Sequence, residues 1–93
     1  MPYIEPSLRS EVDKWVTDLG IAVLLTNLKT PGDSRGGIMN YVITRLLLEV
    51  FSQESYAEIS AAIGTLECAK LEFYRRRAAD YEDAKAASNG DVF

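Results

Sequence analysis

The chain contains no histidine at all. That removes the commonest general base and the commonest metal ligand together. A Ser-His-Asp or Cys-His site cannot form within one chain, and zinc sites are disfavoured. Any metal would have to be a hard cation held by carboxylates. One cysteine, Cys68, excludes an intrachain disulfide and suits a reducing cytoplasm. No stretch approaches the roughly 18 continuous apolar residues of a membrane span. The N-terminus, MPYIEPSLRSEVDKW, has neither a basic region nor an apolar run, so no signal peptide is expected. Basic excess is missing too: the formal charge is −4, which argues against general nucleic-acid binding. The acidity is uneven, with five basic and six acidic groups in residues 1–50 against five and eight in residues 51–93.

What is present is helix-forming sequence. With 47% hydrophobic residues and only three prolines in 93 residues, the chain reads as one small globular domain, all-α. Residues 1–6, with Pro2 and Pro6, form an extended lead-in, and Ser7 is the expected first cap. From Leu8, apolar residues Val12, Trp15, Val16, Leu19 and Val23 step by three and four, predicting a first helix over about 7–29. Ile21, Leu24, Leu25 and Leu28 make its second half apolar nearly all round, which predicts deep burial. Thr30 to Gly37, TPGDSRGG, is the one glycine-rich loop; it lacks the GxxxxGK[ST] pattern and a preceding strand, so a phosphate-binding loop is excluded. A second helix over about 38–52 places Met39, Val42, Ile43, Leu46, Leu47 and Val50 on an apolar face, with Arg45 and Glu49 paired at i, i+4 on the polar side.

Ser55 to Asn89 is the dominant segment. It opens with a capping box, Ser55-Tyr56-Ala57-Glu58, and closes at Asn89-Gly90. As one helix over 55–89 it would span about 50 Å, whereas a compact chain of this length has a radius of gyration of about 12–13 Å. It must therefore bend, or project and find a partner. Its apolar stripe runs Tyr56, Ile59, Ile63, Leu66, then changes track to Leu71, Tyr74, Ala78, Tyr81 and Ala84. The first half is expected to pack on the core. The second half, with Leu71, Tyr74, Ala78 and Tyr81, is the candidate oligomer interface, because a helix with so few large apolar residues is marginal in water by itself.

Arg75, Arg76 and Arg77 are expected to form ion pairs along the helix, Glu72–Arg76 and Arg76–Asp80 among them. Glu67 and Lys70 flank Cys68 on a stretch expected to be partly buried, with Cys68 as a small core hydrophobe. Glu67, Lys70, Glu72 and Arg76 form the candidate polar site. Asp80, Glu82 and Asp83 do not share one face well enough to make a metal site. No cofactor is called for by any of these features.

Met1-Pro2-Tyr3-Ile4, Asn40-Tyr41-Val42-Ile43-Thr44 and Leu66-Glu67-Cys68-Ala69-Lys70-Leu71-Glu72-Phe73-Tyr74-Arg75-Arg76 carry a resemblance, as do Tyr81-Glu82-Asp83 and Asn89-Gly90-Asp91-Val92. Together they resemble a family of short uncharacterised proteins from phages, bacteria and environmental sequences. The glycine-rich loop looks like an insertion relative to shorter members. The resemblance implies a small protein ending at or near Phe93, and brings no activity and no functional residue. The function expected is that of a small cytoplasmic helical interaction or assembly protein, a homo-oligomer with a dimer favoured, in which association completes a helical bundle. A protein partner of another kind is compatible with the same surface. One alternative is a Mg²⁺-dependent helical enzyme resembling the all-α nucleotide pyrophosphohydrolases. Here the ExxE of that family is missing, and Lys70 stands where the second carboxylate after Glu67 would be. A second alternative is nucleic-acid contact through Arg75–Arg77 and the neighbouring tyrosines.

Overall fold

A computed structural model describes residues 2–93, and among them the chain is all-helical with no strand. Helix α1 spans Pro6–Asn27, α2 spans Arg35–Val50 and α3 spans Tyr56–Phe73. A single π turn, Tyr74–Ala78, follows without a break and leads into α4, Ala79–Asn89. The last three pieces form one long helix of 34 residues.

The helix ends follow from local chemistry. Glu5 is the first cap instead of Ser7, because Pro6 takes the first helical position, where its missing N–H costs nothing and its φ is already set. The guanidinium of Arg9 donates back to the Ile4 carbonyl at 2.8 Å and steadies this start. The connection between α1 and α2 is shorter than the glycine content suggests. The Ser34 amide donates to the Asn27 side chain at 2.7 Å. The Arg35 amide and guanidinium donate to Asp33 at 3.1, 2.9 and 2.9 Å. These bonds organise the entry to α2 at Arg35, so Gly36 and Gly37 are helical, not loop. Hydrogen bonding to Arg35 also holds the Asp33 carboxyl down at about 2. At the start of α3, the Ser55 hydroxyl accepts from the Glu58 amide at 3.2 Å, the capping bond its sequence predicts. The chain leaves α4 at Gly90, whose φ of 94° lies in the region glycine favours.

Helices α1 and α2 pack as a hairpin, and Val42, Ile43 and Leu47 of α2 and Leu19 of α1 are half-buried. The long helix barely touches that hairpin. Its first half meets the end of α2 near Leu47, Phe51 and Ala62. The result is an open body with extents of 47 × 37 × 29 Å and a radius of gyration of 17.0 Å, against about 12 Å for a compact 93-residue chain.

Burial is where sequence and structure part. Among the described residues Val23, at 6% exposure, is the only buried apolar side chain. The second half of α1 is not deeply buried: Ile21, Leu24, Leu25 and Leu28 are exposed. Nor is the first half of the long helix packed, since Tyr56 is 85% and Ile63 64% exposed. Cys68 is exposed and not a core residue. The physical reason is common to all three: the hairpin has one layer, the long helix stands off it, and among the described residues no further element covers either apolar face.

Candidate assembly surface

The long helix positions every residue singled out for function. Leu71, Tyr74 and Tyr81 are exposed along it and Ala78 is half-buried. The upstream stripe residues Ile59, Ile63 and Leu66 are exposed in the same way. Phe73, also exposed, lies seven residues after Leu66 and so falls on the same face. That residue escaped the reading by track, although the two-turn spacing was there to find it.

The change of track between Leu66 and Leu71 falls within the unbroken α3, and the π turn lies beyond it at Tyr74–Ala78. It inserts one residue, and so sets everything beyond it back by about 100° around the axis. The hydroxyl of Tyr74 donates to the Glu82 carboxylate at 2.5 Å across this turn. In an unbroken α-helix, residues eight apart sit about 80° apart around the axis; one inserted residue brings them within about 20°. The bond is possible because of the insertion, and it spans it. Hydrogen bonding to Glu82, with some desolvation, pushes the Tyr74 hydroxyl above its ordinary value.

The same turn redistributes the charges. Glu72 pairs with Arg75, not Arg76, through bonds of 3.2 and 2.6 Å. The expected Glu72–Arg76 and Arg76–Asp80 pairs do not form, and among the described residues neither Arg76 nor Arg77 makes an ion pair. A second acceptor bond reaches Glu72 from the far end of the chain: the Tyr3 hydroxyl donates to it at 2.5 Å across 69 residues. Arg75 first, then Tyr3, hold the Glu72 carboxyl below the usual carboxylate range. The N-terminal arm is thereby latched beside Cys68 and Leu71, where Pro2 also lies. Nothing in the sequence signals this contact, because tyrosine and glutamate so far apart carry no spacing rule.

Glu67 and Lys70 are paired at 2.9 Å, but as an exposed i, i+3 pair and not on a buried stretch. The candidate polar set therefore divides in two, Glu67 with Lys70 and Glu72 with Arg75, and Arg76 joins neither. The described residues contain no group of three or more Asp, Glu, Cys or His placed to hold a metal ion. No helix among them is long and apolar enough to cross a membrane.

The arrangement is that of an all-α protein whose main surface feature is an uncovered apolar helix face beside paired charges. The chain matches, over residues 1–92, the family described as a domain of unknown function, DUF6899, and belongs to it. Neither a curated protein nor a solved structure matches it.

Proposed function

We propose that this protein is a small helical assembly protein that works as a homodimer in the cytoplasm, through protein contacts and not through catalysis. The observation that carries the reading is the extent of uncovered surface, with Leu71, Phe73, Tyr74 and Tyr81 among the exposed apolar residues. The chain exposes 8056 Å², whereas a compact monomer of this mass exposes about 5,400 Å². The excess is about 2,700 Å² per chain, and two chains together would reach the range of obligate dimers, about 2,000–5,000 Å² or more. Size supports two copies in particular. A compact body of twice this length has a radius of gyration of about 16 Å, close to the 17.0 Å of the single chain. One copy already spans the envelope that two would fill.

Leu71, Tyr74, Ala78 and Tyr81 belong to the surface that association would cover. On this reading the protein is phage-derived, and a second protein docks on the face the dimer leaves open. Metal-dependent hydrolysis has no carboxylate cluster in its favour among the described residues, and nucleic-acid contact has only the open depression lined by Arg75, Arg76, Arg77 and Asp80. The test is sedimentation velocity from low to high micromolar concentration. A dimer is expected throughout the upper range; a strict monomer at high micromolar concentration would end the proposal.

A further inference from the structure

The loop between α1 and α2 sets the register of the hairpin. Counting back from Asn27 and forward from Arg35 with the same rise per residue, Val23 falls opposite Met39, Leu19 opposite Ile43, Val16 opposite Leu46 and Val12 opposite Val50. Near the loop the two faces meet: Val23 is buried, and Leu19 and Ile43 are half-buried. Farther from it they do not, since Val12, Val16, Leu46 and Val50 are all exposed, Val16 at 64% and Val50 at 70%. The hairpin is open at the end away from its loop, and two apolar faces line the opening. The chain's own long helix does not fill it. That helix lies against Leu47 and Leu48, on a side of α2 centred about 130° round from Leu46 and Val50. Its face of Ile59, Ala62 and Ile63, which meets the end of α2, runs on to the exposed Leu66 and Phe73. The N-terminal arm does not cover those two, because Pro2 and Tyr3 lie by Cys68, Glu72 and Arg75, about 140° away around α3.

We propose that two copies exchange their long helices: Leu66 and Phe73 of each enter the open end of the other's hairpin, between Val12 and Val16 of α1 and Leu46 and Val50 of α2. The inference rests on the assembly reading above and names the surfaces it joins. An opening between two apolar helix faces takes a third helix with an apolar face of its own. Leu66 and Phe73 make such a face and have no cover in their own chain. Only Phe51 to Ser55 separate α2 from α3, and α3 is already docked on another side of α2, so the helix that enters comes from a second copy. The area agrees. Mutual exchange draws on both the hairpin and the long helix of each chain, and the excess of about 2,700 Å² per chain is what a dimer of this kind needs to bury. Each hairpin and each helix is then used once, so the exchange closes at two copies.

The unsubstituted chain carries a reporter. Trp15 is its one tryptophan, follows Val12 by one turn and is exposed. Its emission should move to the blue as dimer replaces monomer with rising concentration; a dimer with unshifted emission would overturn the inference. Cross-linking reads the exchange directly. Chains with Val12→Cys or Val16→Cys are mixed with chains carrying Leu66→Cys or Phe73→Cys, all in a Cys68→Ser background, and oxidised. A disulfide needs Cα atoms about 4.4–6.8 Å apart, and one joining the two kinds of chain is expected in at least one of the four mixtures. None in any of them would overturn the exchange. So would an intrachain disulfide in a dilute chain carrying both cysteines, because the helix would then be folding onto its own hairpin. Leu46→Asp sets a carboxylate in the opening while Leu46 is exposed in the single chain. It should raise Kd about a hundredfold or more with helicity unchanged, and a Kd within about threefold of wild type would place the interface elsewhere. Sedimentation separates the two levels: a strict monomer defeats the assembly reading itself, while a dimer without these cross-links defeats only the exchange.

Discussion

Ile63→Ala gives a measurement whose size can be worked out beforehand. Full burial of an isoleucine side chain stabilises by about 1.5–3 kcal/mol relative to exposure. In the single chain Ile63 is 64% exposed, so most of that amount is still unspent within one subunit. Covering the remainder on association contributes about 1–2 kcal/mol per chain. In a symmetric dimer the substitution acts twice, which makes about 2–4 kcal/mol and raises Kd about 30- to 700-fold. If Ile63 instead stays in water, the same substitution is a surface change worth no more than about 0.5 kcal/mol. Sedimentation equilibrium at several loading concentrations separates these cases, with helicity by circular dichroism as the check on folding. Arg76→Ala, on the other side of the helix, serves as the control and should leave Kd within about threefold. An Ile63→Ala chain that also stays within that limit would refute the reasoning that the stripe is what association covers.

The other expectations concern the caps and the two tyrosine contacts. Ser55→Ala removes the bond to the Glu58 amide and should cost about 1 kcal/mol in urea unfolding at fixed protein concentration; an unchanged midpoint would show the cap to be idle. Because the folded Glu72 carboxyl is depressed by Arg75 and Tyr3, its stabilising contribution is present above the ordinary glutamate value and fades as pH falls through the folded one. Acid unfolding of wild type should therefore have a component missing from Glu72→Gln, and superimposable acid curves would contradict the latch. Tyr74 has the opposite sign: its folded value is raised, so the contribution is full below the ordinary tyrosine range and is lost as pH climbs through the raised value. Phenolate absorbance should show one late-titrating tyrosine that disappears in Tyr74→Phe and moves earlier in Glu82→Gln. On the assembly proposal thermal midpoints should rise with protein concentration, Val23 being the only buried apolar side chain among the described residues; a midpoint constant across a hundredfold dilution would count against this.

The helices were legible because each end carries its own chemistry. Ser55 and Glu58 announce the start of α3, and Gly90 supplies the positive φ at the end of α4. The π turn was not legible. The stripe changes track between Leu66 and Leu71, inside the unbroken α3, whereas the turn lies at Tyr74–Ala78, and no spacing of apolar residues marks which backbone bonds lengthen there. The start of α2 was misplaced for a related reason. Gly36 and Gly37 lower helix propensity, yet the bonds from the Arg35 amide and guanidinium to Asp33 and from the Ser34 amide to Asn27 fix the turn that leads into the helix at Arg35. Burial was the least legible property. Hydrophobic spacing tells which face of a helix needs covering and is silent on what covers it, so Leu24, Leu25 and Ile63 were assigned to a core that this one chain does not build.

That silence has a physical content here. The long helix meets the end of α2 where Ile59, Ala62 and Ile63 lie near Leu47, Leu48 and Phe51, and beyond that contact Leu66, Leu71 and Phe73 stay exposed. A helix that carries large apolar residues on its surface gains about 25 cal/mol for each Å² of apolar area it removes from water. Periodicity records that need without naming the element, copy or partner that meets it.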